Sequence, residues 1–346
     1  VNALAGIGYF VTLVCATQSA GSVRAHVKEF YGLRLHDNVT IDFFCLRWHR
    51  AINLQIGMFA FFGFLKKYRD RQIISRNFYF SLFLAILGRG EIFECHGIEV
   101  GIKALFQKFI IFRHAHTIVI SDALRCLLMD KFNLAEDKFL VLHDAASHVE
   151  AINVDGYLVE PKKQKIGYFG HVYPGRGIEV VSYLAEKFND VDFYVVGGEP
   201  DLVATLSKEN QHKNLIFVGH VSNIVARSLM REMDILLMPY QKVVSIGPLG
   251  SDTSQWMSPL KMFEYMSSQV AIASSDLPVI REVLQANKNC LLVPPDDHVA
   301  WWEAVDKLLK DETCRADLAG TAFQEFKEKY TWKQRAKAIR GSLERF

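Results

Sequence analysis

Strand-length apolar runs that end on a glycine or a polar loop recur along this chain, and a stretch of helical length follows most of them. Lys165-Ile-Gly-Tyr-Phe-Gly170 precedes a helical pattern over 178–188. Val191-Asp-Phe-Tyr-Val-Val196 ends at Gly197-Gly198, and Leu215-Ile-Phe-Val218, Asp234-Ile-Leu-Leu-Met238 and Val270-Ala-Ile-Ala273 repeat the arrangement. Runs that are apolar throughout, rather than at every second residue, suit strands covered on both faces by crossover helices. The alternation therefore predicts an α/β chain with doubly wound parallel sheets, which gather ligands outside the carboxyl ends of their strands. At 346 residues the chain exceeds one typical core, so two domains are expected.

The polar, aperiodic stretch 151–164, ending in Glu160-Pro-Lys-Lys-Gln164, reads as the linker between domains at 1–150 and 165–325. At the start, Val1 to Gly8 followed by Tyr9-Phe-Val-Thr-Leu-Val-Cys15 reads as a helix end, a glycine stop and a buried strand. In a doubly wound domain that is the second strand. The first strand is not in the sequence, and loss of an N-terminal piece is the expectation. Thr40-Ile-Asp-Phe-Phe-Cys45 is a further strand. Ile52 to Leu65, with Lys66-Lys67-Tyr68-Arg69 behind it, reads either as a core helix or as a membrane-leaning amphipathic helix with a basic flank. No apolar run reaches the roughly 18 residues that span a bilayer. Glu91-Ile-Phe-Glu-Cys-His-Gly97 is a strand ending in a carboxylate and an imidazole, which makes His96 a cleft candidate, although a lone histidine is more often structural. Forty basic against 38 acidic residues, a formal charge of +2, show no bulk preference for nucleic acid. Cysteines 15, 45, 95, 126, 290 and 314 have neither C-x-x-C nor zinc spacing and read as single thiols in a reducing, cytoplasmic compartment.

The chemistry converges on Trp256-Met-Ser-Pro-Leu-Lys-Met-Phe-Glu-Tyr-Met266. Ser258 before Pro259 is a helix-start signal, and the mouth formed by Ser258, Pro259 and Leu260 offers N–H groups to an anion. Lys261 and Glu264, three residues apart, could present an ammonium and a carboxylate to one ligand, or form an ordinary surface pair. A nucleoside diphosphate fits the first arrangement: cation for phosphates, carboxylate for ribose hydroxyls. Gly170, Gly175 and Gly177 in the loop His171-Val-Tyr-Pro-Gly-Arg-Gly177 free the backbone to approach a ligand, and Arg176 supplies a planar donor. Gly219, His220 and Tyr240, at strand ends, are expected to border a base pocket. Gln241 to Gln255 reads as a loop over the site. Asp190-Val-Asp192 has the letters of a metal motif but precedes its strand, at the wrong end of the sheet, and no metal site is expected.

From residue 256 to Pro294 the chain resembles the donor-binding segment of the retaining glycosyltransferases of family 4, the glycosyl transferases group 1. Ser258-Pro-Leu-Lys, Glu264-Tyr-Met266, the turn Ser267-Ser-Gln269, the strand Val270–Ala273, Ser275-Asp276, Pro278 and Glu282-Val283 carry the likeness. The resemblance implies the GT-B arrangement of two facing Rossmann-like domains, with the helix 326–346 crossing back to the N-terminal domain after Tyr330-Thr-Trp. It implies transfer of a sugar from a nucleotide-diphosphate sugar, a UDP- or GDP-sugar, to a glycan or lipid-linked acceptor with retention and without metal or cofactor. Work on surface polysaccharide in the cytoplasm, with or without peripheral membrane contact, is the implied setting. Lys261, Arg176 and the helix mouth would take the charge of the departing diphosphate, Glu264 the ribose, and His96 the sugar or acceptor. His171 stands where the family usually has arginine, and Arg176 where it has lysine. The E-x7-E motif lacks its first glutamate, because Trp256 is there. A non-catalytic nucleotide-sugar-binding subunit and a GT-B nucleotide-sugar epimerase are the rival expectations.

Overall fold

Six of the apolar runs assemble into one fully parallel sheet in the computed structural model, which describes residues 1–16, 23–44, 51–90, 92–159, 163–244 and 252–344. The chain divides into two units. The first comprises Val1–Val27, Arg34–His143 and Trp332–Phe346, the second Lys28–Leu33 and Asp144–Thr331.

In the first unit, β1 (Val11–Ala16) pairs in parallel with β2 (Val39–Phe44). A second parallel sheet runs β3 (Ile74–Ser75), β4 (Ile92–Cys95), β5 (His116–Val119), β6 (Phe139–Val141). Its core joins Ile92 and Ile118 to Ile339 and Leu343 of the helix Trp332–Leu343. That helix is held by polar contacts as well, since Arg335 donates to the carbonyls of Leu142 and His143 and to the Glu94 carboxylate.

The helix Ile52–Gly63 runs into a π-helical turn at Phe64–Tyr68. It buries Gly57 and Ala60 against the helix Phe78–Ile86, so the core reading holds for one face. Lys67 and Tyr68, read as part of a basic flank, both turn to Asp42. Cys45 and Glu91, which bound two of the expected strands, lie outside the described residues.

The second unit holds β7 (Lys165–Phe169), β8 (Asp192–Val196), β9 (Leu215–Gly219), β10 (Ile235–Met238), β11 (Ala271–Ser275) and β12 (Leu291–Val293). Their order is β12-β11-β10-β7-β8-β9. Every residue of β8 is buried, as a parallel strand covered on both faces requires. Ile166, Val195, Leu237 and Ala273 share a core with Val181 and Leu184 of the helix Ile178–Lys187 and with Trp301 and Leu308 of the helix His298–Lys310. Progression along the sheet reverses between β7 and β10, and the side-by-side pairing Leu237 with Tyr168 sets their register. The carboxyl ends of these two strands, at Gly170 and Pro239, therefore flank the switch point where α/β sheets bind ligands. Tyr265 closes the gap beneath it. Its hydroxyl accepts the Phe169 N–H at 2.9 Å and donates to the Leu237 carbonyl at 3.1 Å.

Residues 144–159, read from sequence as a domain tail and linker, belong with the second unit. Arg227 and Arg231 donate to the carbonyls of Ser147 and Val149 at 2.8 and 2.7 Å. The Ile152 and Val159 N–H groups donate to the hydroxyls of Ser228 and Tyr194, each at 3.0 Å. Polar backbone without periodicity is thus fixed by side chains distant in sequence; residues 160–162 of the expected linker lie outside the described residues. The helix expected through Glu282 to Leu284 is a single 3-10 turn, Ile280–Glu282. Among the described residues no helix is long and apolar enough to cross a membrane.

Candidate functional site

Gly170 takes the chain out of β7, and the helix Leu260–Ser267 delivers Lys261 above it. A side chain in place of Gly170 would start 3.7 Å from Lys261 Nζ. The ammonium lies 4.4 Å from the ring centroids of both Tyr168 and Tyr240. Among the described residues no hydrogen bond or ion pair reaches it. Close packing and then the charge of Arg176 push the Lys261 pKa well below the usual lysine value. Arg176 itself lies over Tyr240, Cζ to centroid 5.3 Å, and its Nη1 donates to the tyrosine hydroxyl at 3.3 Å. Two cations thus share one aromatic floor at the switch point.

Tyr168 and Tyr240 make that floor. Both are buried, Tyr240 at 2% exposure, and burial raises both phenols, so both stay neutral. Tyr168 donates its hydroxyl to the His171 carbonyl, which fixes the loop that follows β7. Tyr240 was expected at the edge of a base pocket. It lies instead beneath the cations, because β10 carries it directly into the crevice. Tyr168 was not anticipated at all; tyrosine in an apolar strand reads as strand composition, and only register with β10 shows where it stands.

The loop 170–177 departs from expectation in two places. Gly175 (φ +81°) and Gly177 (φ +84°) do not open space for a ligand. An added Cβ would lie 2.1 Å from the Val243 carbonyl oxygen at the first and 1.9 Å from that of Pro239 at the second. These glycines let the loop lie against the protein's own 239–244 segment, and Arg176 between them is aimed by that contact. His171 is exposed and stacks on Tyr173, centroids 5.0 Å apart. Desolvation, then Arg176, His220 and Lys261, lower its pKa, so it contributes little charge at neutral pH.

Ser258 does not cap the helix. Pro259 is the N-cap residue, in extended conformation, and the Ser258 hydroxyl accepts the Asp144 N–H at 3.0 Å. Leu260 is exposed at the helix mouth. Glu264 is not paired with Lys261. Its Oε1 accepts from Asn223 Nδ2 at 3.0 Å and lies 3.7 Å from Arg227 Nη1. Arg227 is buried, and burial lowers its pKa while Glu264 counteracts this. Asn223 and Arg227, both on the helix Asn223–Arg231, were missed. A charged residue on the apolar side of an amphipathic helix was the available signal.

Gly219 (φ +77°) turns the chain after β9, and the exposed His220 ring stacks on Phe30 with centroids 6.1 Å apart. Asp252, near the position of the absent motif glutamate, accepts the N–H groups of Val244 and Ser254, each at 2.9 Å, and the Ser254 hydroxyl. Burial alone would raise its pKa, but these donors lower it, so Asp252 organises the loop. Residues 245–251 of that loop lie outside the described residues. Asp192 begins β8, at the amino end of the sheet, with Lys163 Nζ 3.6 Å away.

His96 belongs to the first unit. Glu94 Oε1 accepts from His96 Nε2 at 2.9 Å and from Arg335 Nη2 at 2.8 Å. Burial works to raise the Glu94 pKa, but His96 and Arg335 outweigh it and hold the carboxyl at about 2. The structure therefore groups Gly170, His171, Arg176, Tyr240 and Lys261, places Glu264 in a neighbouring cluster on the same helix, and gives His96 its own carboxylate.

Residues 163–311 match the family model of glycosyl transferases group 1. A phosphatidyl-myo-inositol mannosyltransferase of Mycolicibacterium smegmatis is 28% identical over 196 residues, 55% of this chain. The chain spans about half of that relative's length, the match covering 46% of it. Among solved structures, sucrose-phosphate synthase of Thermosynechococcus elongatus superposes with a TM-score of 0.73 at 14% identity, over 99% of this chain and 90% of that one. Anabaena HepE, solved with UDP and glucose, gives 0.65 at 13% identity, over 98% and 100%. At such identities these likenesses establish the fold, that of GT-B structures.

Proposed function

We propose, from the match of residues 163–311 to the family model of glycosyl transferases group 1, that this protein moves a sugar from a nucleotide-diphosphate sugar to a glycan or lipid-linked acceptor with retention of configuration. The observation that carries this reading is the Lys261 ammonium at the switch point, over two tyrosine rings and beside a second cation. Such a group is held at an electrostatic cost that an arriving diphosphate would relieve. As the anomeric C–O bond breaks, negative charge would collect on the leaving phosphate, and Lys261 and Arg176 would take it. Two fixed cations can fill the role that a divalent metal plays in other transferases. Glu264, held by Asn223, would accept the ribose hydroxyls, and His96 would meet the sugar or acceptor. Leu260, Gly170 and His171 would line the phosphates, and His220 and Gly219 the base. Because HepE was solved with UDP, uridine diphosphate sugars are the first donors to test. Work in the cytoplasm with peripheral contact to a membrane fits a lipid-linked acceptor.

Trp256 in place of the motif glutamate favours one rival, a subunit that binds nucleotide sugars without turning them over. A donor panel decides between them. UDP- and GDP-sugars are incubated with the protein and a cell extract that supplies acceptors, and release of nucleoside diphosphate is followed. Release that Lys261→Ala and Glu264→Ala abolish supports transfer. Binding without release supports the subunit, and sugar conversion with no acceptor supports an epimerase.

A further inference from the structure

Glu264 spends only one of its carboxylate oxygens inside the protein. Oε1 accepts from Asn223 Nδ2 at 3.0 Å and lies 3.7 Å from Arg227 Nη1, whereas Oε2 has no partner among the described residues. The side chain keeps 20% of its surface open. A glutamate's terminal torsion is broad, so the placement of the backbone does not decide where either oxygen stands. Its partners do. Tyr265 ties the helix Leu260–Ser267 to the sheet, and the neighbouring helix Asn223–Arg231 holds the carboxylate that this helix carries.

Arg227 is the centre of that hold. It is buried, and a guanidinium out of water has to place its N–H groups on acceptors. Nη2 donates to the Ser147 carbonyl at 2.8 Å and to the Ser267 hydroxyl, which donates in turn to the Glu264 carbonyl at 2.8 Å. With Nη2 occupied, the rigid plane of the guanidinium leaves Nη1 turned towards Glu264 Oε1. Asn223 lies one helical turn before Arg227, on the same face, and supplies the direct hydrogen bond. Asn223, Arg227, Ser147, Ser267 and Glu264 all belong to the second unit.

We propose that Arg227 and Asn223 are positioning residues that set the sugar selectivity of the nucleotide site: by claiming Oε1 they present Oε2 to a vicinal diol, so a ribonucleoside diphosphate is taken in preference to its 2′-deoxy counterpart. This rests on the reading of Glu264 as the carboxylate for the ribose hydroxyls, and goes beyond it by giving the discrimination to two side chains that touch no ligand. An ionised carboxylate oxygen only accepts, and its lone pairs suit two neighbouring hydroxyls. Hydrogen bonds to a charged group are the strong ones, so the loss of one hydroxyl is felt. A carboxylate released from Arg227 and Asn223 turns freely about its terminal torsion and loses the preference.

The test is calorimetric titration of the full chain with UDP and GDP, with their 2′-deoxy counterparts, and with inorganic pyrophosphate as a probe of the Lys261 cluster alone. Wild type is expected to bind a ribose form about 10- to 100-fold more tightly than the matching deoxy form. Asn223→Ala should bring that ratio below about threefold and leave pyrophosphate affinity within about twofold of wild type. Arg227→Gln should act alike, and Arg227→Lys, which restores the charge without the planar fork, should recover part of the ratio. A merely structural role would weaken all ligands together and keep the ratio. Because the ratio is read within one folded protein, it is independent of stability, and Asn223→Ala carries the test if the Arg227 variants fail to fold. The proposal is overturned if wild type binds both forms equally or if the ratio survives in Asn223→Ala. Survival there with loss in Glu264→Ala sinks this proposal and leaves the ribose reading standing; survival in Glu264→Ala as well, or binding of neither nucleotide, sinks both.

Discussion

Two charged clusters, one in each unit, are built on opposite principles. Around Glu94 opposite charges meet: one carboxylate oxygen accepts from both His96 and Arg335 Nη2, and Arg335 Nη1 donates to the carbonyls of Leu142 and His143. Around Lys261 the contacts are aromatic instead: the ammonium stands over the rings of Tyr168 and Tyr240, and the Arg176 guanidinium over that of Tyr240. In the first cluster Arg335 ties the helix Trp332–Leu343 to Glu94, Leu142 and His143. On the proposed reading an arriving diphosphate would complete the second cluster around Lys261, and this would distinguish a binding site from a structural ion pair built of the same residue types.

Substitution by a neutral side chain of similar size tests that contrast most sharply. Lys261→Met should lower turnover about 100- to 1,000-fold, the scale of losing one fixed donor to a developing negative charge. The same change should raise thermal stability, by about 1 kcal/mol in denaturant titrations, since it removes a desolvated cation. Arg335→Met should do the reverse. Removing one partner of a buried pair costs about 3–5 kcal/mol, read as a lower urea midpoint. If both variants are destabilised alike, the distinction between the clusters is lost.

Acid titration comes next in size. The Glu94 pKa is depressed from 4.5 to about 2 in the folded chain, so its stabilisation is present above the unfolded value and is lost as pH falls from about 4.5 towards 2. The contribution is about 3 kcal/mol. Glu94→Gln should flatten this part of the stability profile, which unfolding free energies at successive pH values will show. Lys261 carries the opposite sign: its lowered pKa rises when a diphosphate binds, so nucleotide binding should take up protons. Calorimetry in buffers of different ionisation enthalpy measures that uptake, and Lys261→Ala should abolish it. The smallest effect is expected of Tyr240→Phe. It keeps the ring under both cations and removes only the hydroxyl that receives Arg176, so nucleotide affinity should fall by no more than about tenfold.

The sheets and the position of Lys261 could be read from sequence because each depends on local pattern: apolar runs, glycine stops and a proline-started helix. Tyr240 beneath the cations, Tyr168 beside it and the Glu264 contacts to Asn223 and Arg227 could not, because each joins residues distant in the chain. Local pattern misled at Ser258, whose hydroxyl serves Asp144. It misled again at Gly175 and Gly177, where close approach was anticipated but the approaching group is the protein's own backbone.

Tyr265 acts as a rivet between two strands and the helix that bears Lys261 and Glu264. The spacing between the ammonium and the carboxylate is therefore inherited from the sheet rather than adjusted on contact. Rewriting the surrounding loops could alter what reaches this crevice while leaving the joint untouched.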